Sequence, residues 1–277
     1  MAIQKKSLWR GFAATAAVLL ATTLAACSAG SIAGDTVTEG KLTIGTGNPA
    51  YSPWVQNDSP ESGEGFEAAV AYAVAEKLGF AAEDVIWVRT TFDEAIAPGV
   101  KNFDFNLQQY SITEERKANI DFSTPYYETA QVVVTVAGSP AAGATSIADL
   151  QGYLIGAATG TTSFNAIDSV IKPTQAALAF NSNDDAKAAL TNGQVDAIVL
   201  DLPTALYASC CELDGGGTII GQLPTADKGD QFGLVLDKGS KLTAAVSKAL
   251  DELRADGTLA ALEEKWLTAD AGVPVLK

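Results

Sequence analysis

From residue 41 onward, short apolar segments alternate with segments whose apolar residues recur at helical spacing. Residues 42–45 and 85–88 have the character of buried strands, and residues 66–78 between them carry apolar side chains three and four positions apart. A second alternation follows from residue 154 to residue 200. This pattern predicts an α/β fold with mostly parallel sheets flanked by helices. In such folds, ligands bind beyond the carboxyl ends of the strands.

The first 26 residues have the composition of a secretory leader. Lys5, Lys6 and Arg10 precede an apolar stretch over residues 12–24, which ends in small residues directly before Cys27. This arrangement resembles the lipobox of bacterial lipoproteins and predicts a signal peptide over 1–26 and lipidation of Cys27. An ordinary signal peptide with a chance cysteine is the alternative. Residues 27–40 are rich in small and polar residues, which predicts a flexible tether.

Composition removes several classes of function. The chain of 277 residues contains no histidine, so sites that depend on a histidine base or ligand are excluded, and we expect neither a metal nor a cofactor. Without residues 1–26, 15 basic residues remain against 33 acidic ones, a net charge of −18, which argues against nucleic-acid binding. For Cys210 and Cys211, a vicinal disulfide and two reduced thiols are both open, and neither residue is assigned a function.

Several short motifs resemble those of one family and occur in the family's order and spacing: Gly65-Phe66-Glu67, Ser111-Ile112-Thr113-Glu114-Glu115-Arg116, Ile120-Asp121-Phe122-Ser123-Thr124-Pro125-Tyr126-Tyr127, Gly160-Thr161-Thr162-Ser163, Asn192-Gly193-Gln194-Val195-Asp196-Ala197, Phe232-Gly233-Leu234 and Gly257-Thr258-Leu259. They are distributed over most of the chain after the tether, from residue 65 to residue 259. The sequence resembles the family 3 solute-binding proteins, the polar amino-acid binders of ABC importers.

The resemblance implies a two-lobe, type II periplasmic-binding fold with a two-segment hinge. The first lobe would comprise residues 41–136 and 228–277, and the second residues 137–227. It also implies a monomer, held by its lipid anchor outside the cytoplasmic membrane, that gives an L-amino acid to permease subunits. A dehydratase-type enzyme on the same fold is one alternative. A ligand-sensing receptor protein is another, and it would need a further membrane segment.

Two charged residues suit the two ends of an amino-acid zwitterion. Arg116 offers a planar guanidinium that matches a carboxylate, and the resemblance assigns it the ligand carboxylate. A surface ion pair with Glu114 or Glu115 is the alternative. Asp201 directly follows the segment 195–200, so it lies at the carboxyl end of a predicted strand, and the resemblance assigns it the ligand ammonium. Its alternative is to cap the helix that begins near residue 203.

Further ligand contacts are predicted around this pair. Ser111 can add its N–H and hydroxyl, and the N–H groups of Thr161 and Thr162 can point at an anion from the start of a helix. Both threonines can equally serve as helix caps. Tyr51 and Trp54 follow the first strand in a proline-rich loop, where the family has aromatics that cover the ligand. Local packing is the alternative for both aromatics.

Departures from the family pattern bear on the ligand side chain. Ala69 stands where the signature usually has a second acid, and Gly47-Asn48 stands where binders of basic amino acids often have an aspartate. Gln109 and its neighbour Gln108 can donate and accept hydrogen bonds near the predicted side-chain pocket. We therefore expect a neutral polar amino acid such as glutamine or asparagine. The candidates for an acid not yet placed are Asp58 and Glu128.

Overall fold

The computed structural model describes residues 32–213, 216–225, 229–267 and 272–277. The predicted signal peptide, Cys27 and the first part of the tether lie outside these residues, and so does Lys228, the predicted start of the second lobe-1 segment. Within the described ranges, no helix is long and apolar enough to cross a bilayer.

The first of two sheets has five strands, which are in spatial order Val85–Thr90 (β2), Leu42–Gly47 (β1), Phe105–Asn106 (β3), Asp230–Asp237 (β10) and Ile120–Thr129 (β4). All six residues of β1 are buried, because the strand is covered on both faces. Phe66, Val246 and Leu259, each from a different helix, share one core cluster with this sheet. This sheet and its helices are the first lobe.

The second sheet also has five strands, which are in spatial order Leu178–Phe180 (β7), Ile155–Ala158 (β6), Ala197–Asp201 (β8), Gln131–Val136 (β5) and Gly217–Gln222 (β9). The two faces of this sheet contribute to different core clusters. One cluster contains Val132 and Ile198, and the other contains Val133 and Val199. Successive residues of a strand point to opposite faces, so both faces of this sheet are covered. This sheet and its helices are the second lobe.

The helices of the described residues span Phe66–Lys77 (α1), Phe92–Ile96 (α2), Glu114–Lys117 (α3), Ile147–Leu150 (α4), Thr162–Ala166 (α5), Asn183–Thr191 (α6), Leu202–Cys211 (α7), Thr243–Ala255 (α8) and Thr258–Trp266 (α9). A π-helical segment, Ile167–Ile171, continues α5 up to Lys172. Several helices start at a side-chain cap; Thr113, for example, accepts a hydrogen bond from the backbone N–H of Arg116 at the start of α3. Thr161 caps α5 and Asp201 caps α7 in the same way, and both residues are among the predicted ligand-binding residues.

Both sheets are mixed, whereas the sequence predicts mostly parallel pairing. β1 runs parallel to β2 and β3, and β6 runs parallel to β7 and β8. β5 and β10, however, run antiparallel to both of their neighbours. These two are the strands that enter a sheet directly from the other lobe, so no crossover helix sets their direction.

The chain first crosses between the lobes earlier than the sequence predicts. β4 ends at Thr129 in the first sheet and β5 begins at Gln131 in the second, so Ala130 is the crossing point. The boundary that the resemblance implies, after residue 136, lies instead next to a Gly- and Pro-containing loop over residues 138–143, inside the second lobe. An extended chain needs no turn residue to pass from one sheet to the next. The crossing at Ala130 therefore carries no signal in the sequence, and the predicted boundary is six residues too late.

The C-terminal residues belong to the second lobe, although the sequence places 228–277 together in the first. Val275 pairs with Gln222 of β9, and Leu276 is buried in a core cluster of the second lobe. The carbonyl oxygen of Lys277 accepts a hydrogen bond from the N–H of Ile147, at the start of α4. Helices α8 and α9 pack against the first lobe.

Candidate functional site

A cavity of about 140 Å³ lies between the lobes, where the carboxyl ends of several strands meet. The segments after β1, β2 and β3 contribute from the first lobe, and the carboxyl ends of β6 and β8 with the segments after β6 and β7 contribute from the second. Its lining consists of Asn48, Pro49, Tyr51, Thr91, Phe92, Asp93, Gln108, Gln109, Ser111, Arg116, Gln131, Ala158, Thr159, Thr161, Thr162, Ser163, Asn181, Ser182, Asn183, Asp201 and Phe232. A larger groove of about 820 Å³ lies near the crossing strands and contains none of these residues.

Seven of the predicted ligand-binding residues line this cavity, and Trp54 does not. The seven are Tyr51, Gln109, Ser111, Arg116, Thr161, Thr162 and Asp201. The Trp54 ring is fully buried and packs edge-on against Phe66, Tyr127 and Phe232. Its Nε1–H donates to Thr204 Oγ1 of the second lobe over 2.8 Å. Trp54 is therefore a core residue that joins the two lobes, which corresponds to the packing alternative.

Arg116 is a buried cation. Only 8% of it is exposed, and burial lowers its pKa. Two of its five N–H groups donate to carbonyl oxygens, Ser111 O at 2.7 Å and Gly160 O, in the other lobe, at 2.8 Å. Its guanidinium carbon lies 5.3 Å from the centroid of the Phe92 ring. Among the residues that the structure describes, no carboxylate forms an ion pair with Arg116, and Glu114 pairs with Lys117 instead.

Asp201 is a buried anion. It caps α7: Oδ1 accepts from the N–H of Thr204 and Oδ2 from the Thr204 hydroxyl, at 3.1 and 2.8 Å. Burial raises its pKa to about 6. No lysine or arginine in the described part of the chain forms an ion pair with it. The capping alternative is thus present in the structure, and the same carboxylate also lines the cavity.

The hydroxyl groups of Ser111 and Thr162 meet across the cavity wall, 3.1 Å apart. Both also bond to Oδ2 of Asp230, a residue that the sequence does not single out. A hydroxyl has one hydrogen to donate. With both hydrogens donated to Asp230, Ser111 and Thr162 can offer a ligand their N–H groups or oxygen lone pairs. Thr161 caps α5, accepting from the N–H of Phe164, which is the capping alternative for that residue.

Tyr51 forms one wall of the cavity. Lys187 of α6 lies 5.3 Å from the centroid of its ring, so the ring contacts the second lobe. Burial, followed by the charge of Asp184, raises the Tyr51 pKa to about 12. The phenol is therefore neutral at physiological pH and presents an apolar ring with a polar tip.

Glu67 holds Gln109 in place from behind the cavity wall. Gln109 has a left-handed backbone, with φ of 52°, which is uncommon outside glycine. Its backbone N–H donates to Glu67 Oε1 at 2.8 Å, and its side-chain Nε2 donates to Glu67 Oε2. The Tyr126 hydroxyl also donates to Oε1. Glu67 is in the Gly65-Phe66-Glu67 motif, but only the folded chain shows that it positions Gln109.

The acid that the sequence leaves unplaced has a clear candidate in Asp93, at the start of α2. Asp93 lines the cavity and is exposed. Of the two earlier candidates, Asp58 pairs with Arg89 and accepts from the N–H of Ala50, and Glu128 lies in the groove near the crossing strands. No sequence signal distinguished Asp93, because acids in the first turn of a helix are common for capping reasons alone.

Cys210 and Cys211 are joined by a disulfide at the exposed end of α7, away from the cavity. The vicinal disulfide is therefore the alternative that the structure contains. Across the described segments, no group of three or more histidine, cysteine, aspartate or glutamate side chains is arranged to hold a metal ion.

Comparisons with known proteins agree on one family. The family model described as bacterial extracellular solute-binding proteins, family 3, matches residues 42–269. A probable histidine-binding protein of Campylobacter jejuni is 30% identical over 233 residues, which are 81% of this chain and 84% of that protein.

Two solved structures resemble this chain. An ancestral arginine-binding protein bound to arginine is 31% identical with a TM-score of 0.68, over 83% of this chain and 99% of that one. The ancestral amino acid-binding protein AncCDT-1, described as a precursor of cyclohexadienyl dehydratase, is 29% identical with a TM-score of 0.68, over 83% and 96%.

The buried Glu67 predicts an unusual pH dependence of stability. Burial raises its pKa from 4.5 to about 7 in the folded protein, so between these pH values the folded state binds more protons than the unfolded state. The free energy of unfolding should therefore fall as pH rises from 4.5 to 7, with a contribution from Glu67 on the order of 3 kcal/mol. Glu67→Gln should flatten this fall, as measured by urea unfolding at pH 5 and pH 8.

The control is Glu76→Gln, which removes an exposed carboxylate from the same helix. Asp201 contributes a fall of the same sign and is present in all three proteins, so it cancels from the comparison. A Glu67→Gln variant with the same pH dependence as the wild type would contradict this account of Glu67.

Proposed function

Because the chain belongs to family 3 of the bacterial extracellular solute-binding proteins, we propose that it binds a free L-amino acid between its lobes and delivers it to the permease of an ABC importer. One observation carries the proposal. The cavity has a buried cation, Arg116, and a buried anion, Asp201, and neither forms an ion pair with another described residue. An amino-acid zwitterion supplies both missing charges.

Each charge has the chemistry to bind one end of the ligand. Burying a charge without a counter-charge costs free energy. A ligand carboxylate at Arg116 supplies the counter-charge and offsets that cost. The guanidinium retains N–H groups beyond the two that bond to carbonyl oxygens, and a carboxylate can accept two of them side by side. Asp201 accepts hydrogen bonds from Thr204 and retains lone pairs for an ammonium group.

Ligand entry requires the lobes to separate. The cavity is walled by both lobes, and Arg116 of the first donates to Gly160 O of the second. A ligand that contacts both walls favours the closed arrangement, because those contacts exist together only when the lobes meet. Delivery to the permease then corresponds to reopening.

The dehydratase alternative has one observation in its favour. Asp201 has a pKa of about 6, which suits a general acid or base, and AncCDT-1 is described as a dehydratase precursor. Arg116 is opposite in charge to Asp201 and forms no ion pair with a described residue. This favours binding of a zwitterion over a dehydratase reaction. Turnover of a prephenate-like substrate would instead support the enzyme.

The ligand side chain is proposed to be neutral and polar. Asn48, Gln108, Asn181 and Asn183 line the cavity with amide groups, which can donate to and accept from a side-chain amide. Asp93 is the feature that would favour a basic side chain, since an exposed carboxylate at the cavity can pair with a cation. The Campylobacter relative and the ancestral protein are named for histidine and arginine, so both ligand classes belong in any test.

The membrane attachment is proposed to be a lipid on Cys27, outside the cytoplasm. The support is the segment Leu24-Ala25-Ala26-Cys27 after a basic and then apolar leader, together with a family of extracellular proteins. The family also supports permease subunits as protein partners, and the chain is proposed to act as a monomer.

Removing either buried charge should abolish most of the affinity. Arg116→Ala and Asp201→Asn each leave one ligand charge buried and unpaired, a loss of roughly 3–5 kcal/mol, or about two to three and a half decades in Kd. Asparagine is chosen at 201 because it keeps the cap of α7. Calorimetry with the preferred amino acid measures the change, and Asp185→Asn, an exposed residue of α6, is the control. Affinity within threefold of wild type would remove that residue from the site.

The ligand class is decided by competition between glutamine, asparagine, glutamate, arginine and lysine. Glutamine or asparagine should bind most tightly, and Asp93→Asn should change their affinity by less than threefold. If arginine or lysine binds at least tenfold tighter than glutamine, the neutral-ligand proposal is wrong. A selective loss of that binding in Asp93→Asn would then identify Asp93 as the counter-charge.

Lipidation is tested by metabolic labelling with a radioactive fatty acid. The wild type should incorporate label and fractionate with membranes, while Cys27→Ala should remain unlabelled and appear as precursor or soluble protein. The control variant is Ser28→Ala, which keeps the cysteine. Equal labelling of wild type and Cys27→Ala would show that Cys27 is not the site of acylation.

A further inference from the structure

One carboxylate oxygen gathers three side-chain donors from both lobes. Asp230 Oδ2 accepts from Ser111 Oγ at 2.9 Å, from Gln131 Nε2 at 2.9 Å and from Thr162 Oγ1 at 2.5 Å. Ser111 belongs to the first lobe, and Thr162 and Gln131 belong to the second. Asp230 itself is the first residue of β10, where the chain returns to the first sheet.

Asp230 lies outside the set of residues that line the cavity. All three of its donors, by contrast, line the cavity. Its charge strengthens these bonds, since hydrogen bonds to an ionised acceptor are roughly twice as strong as neutral ones. The three bonds can exist together only while the lobes are in contact, because their donors come from opposite sides of the crossing.

The rest of the cluster reinforces this arrangement. Gln131 is the first residue of β5, at the other crossing, and its Oε1 accepts from the Ser163 hydroxyl at 2.6 Å. The start of α5 is therefore tied to both crossing strands, to β5 through Ser163 and to β10 through Thr162. Separating the lobes breaks the bonds from Thr162 and Gln131 to Asp230. It leaves the Ser111 to Asp230 bond within the first lobe and the Gln131 to Ser163 bond within the second.

From this cluster we infer that Asp230 is a clasp, a positioning residue that holds the lobes closed over a bound amino acid and orients Ser111 and Thr162. The inference rests on the proposed function. It predicts that Asp230 controls the lifetime of the complex, since bonds that form only on closure slow reopening and do not affect the encounter with an open protein.

The test is the kinetics of amino-acid binding, followed by stopped-flow tryptophan fluorescence of the full chain. Asp230→Ala should raise the dissociation rate constant at least tenfold and leave the association rate constant within threefold of wild type. Asp230→Asn, which is isosteric and retains one acceptor oxygen, should raise the dissociation rate constant less than Asp230→Ala does. The control is Asp237→Asn at the opposite end of β10, where the carboxylate accepts from the N–H of Lys238.

A general disturbance of the site would change both rate constants and lower the melting temperature, so the selective effect on dissociation distinguishes a clasp from a merely structural role. If the wild type binds an amino acid and both Asp230 variants dissociate at the wild-type rate, the clasp is wrong and the proposed function stands. If no amino acid binds the wild type, the proposed function fails and the clasp fails with it.

Discussion

Ligand recognition in this protein centres on two buried charges of opposite sign, which line one cavity without forming ion pairs with described residues. Arg116 and Asp201 are each 8% exposed, and each bonds only to neutral described partners, carbonyl oxygens for the cation and Thr204 for the anion. Such an arrangement is unfavourable for the empty protein, because no ion pair offsets the free-energy cost of desolvating each charge. It becomes favourable when a ligand brings one anionic and one cationic group at the right separation. A zwitterion, which carries both groups, can therefore neutralise both buried charges of the cavity.

The remaining contacts hold these charges in position. Trp54 donates to the hydroxyl of Thr204, and the same hydroxyl donates to Asp201, so the core of the first lobe is connected to the anionic site in the second. Glu67 performs a comparable role for Gln109 from behind the opposite wall. Asp230 completes the set by collecting the hydroxyl groups of Ser111 and Thr162. In each case a residue outside the cavity fixes one that lines it.

The sequence predicts those features that residues close in the chain determine. Helix α1 follows from the apolar spacing of residues 66–78, and the positions of Arg116 and Asp201 follow from a motif and from a strand end. The sequence does not reveal features that depend on contacts between distant segments of the chain. β4 is ten residues long, but its polar residues interrupt the strand pattern, and no turn residue marks the crossing at Ala130. Trp54, Asp93 and Asp230 acquire their roles only through contacts with the other lobe or the cavity.

Calorimetry with matched ligand analogues measures whether the cavity recognises both ends of a zwitterion. The preferred amino acid would be titrated beside its methyl ester, which lacks the carboxylate charge, and its desamino analogue, which lacks the ammonium group. The account predicts that each analogue binds at least a hundredfold more weakly than the parent, because each leaves one buried protein charge unpaired. An analogue that binds within threefold of the parent would contradict it.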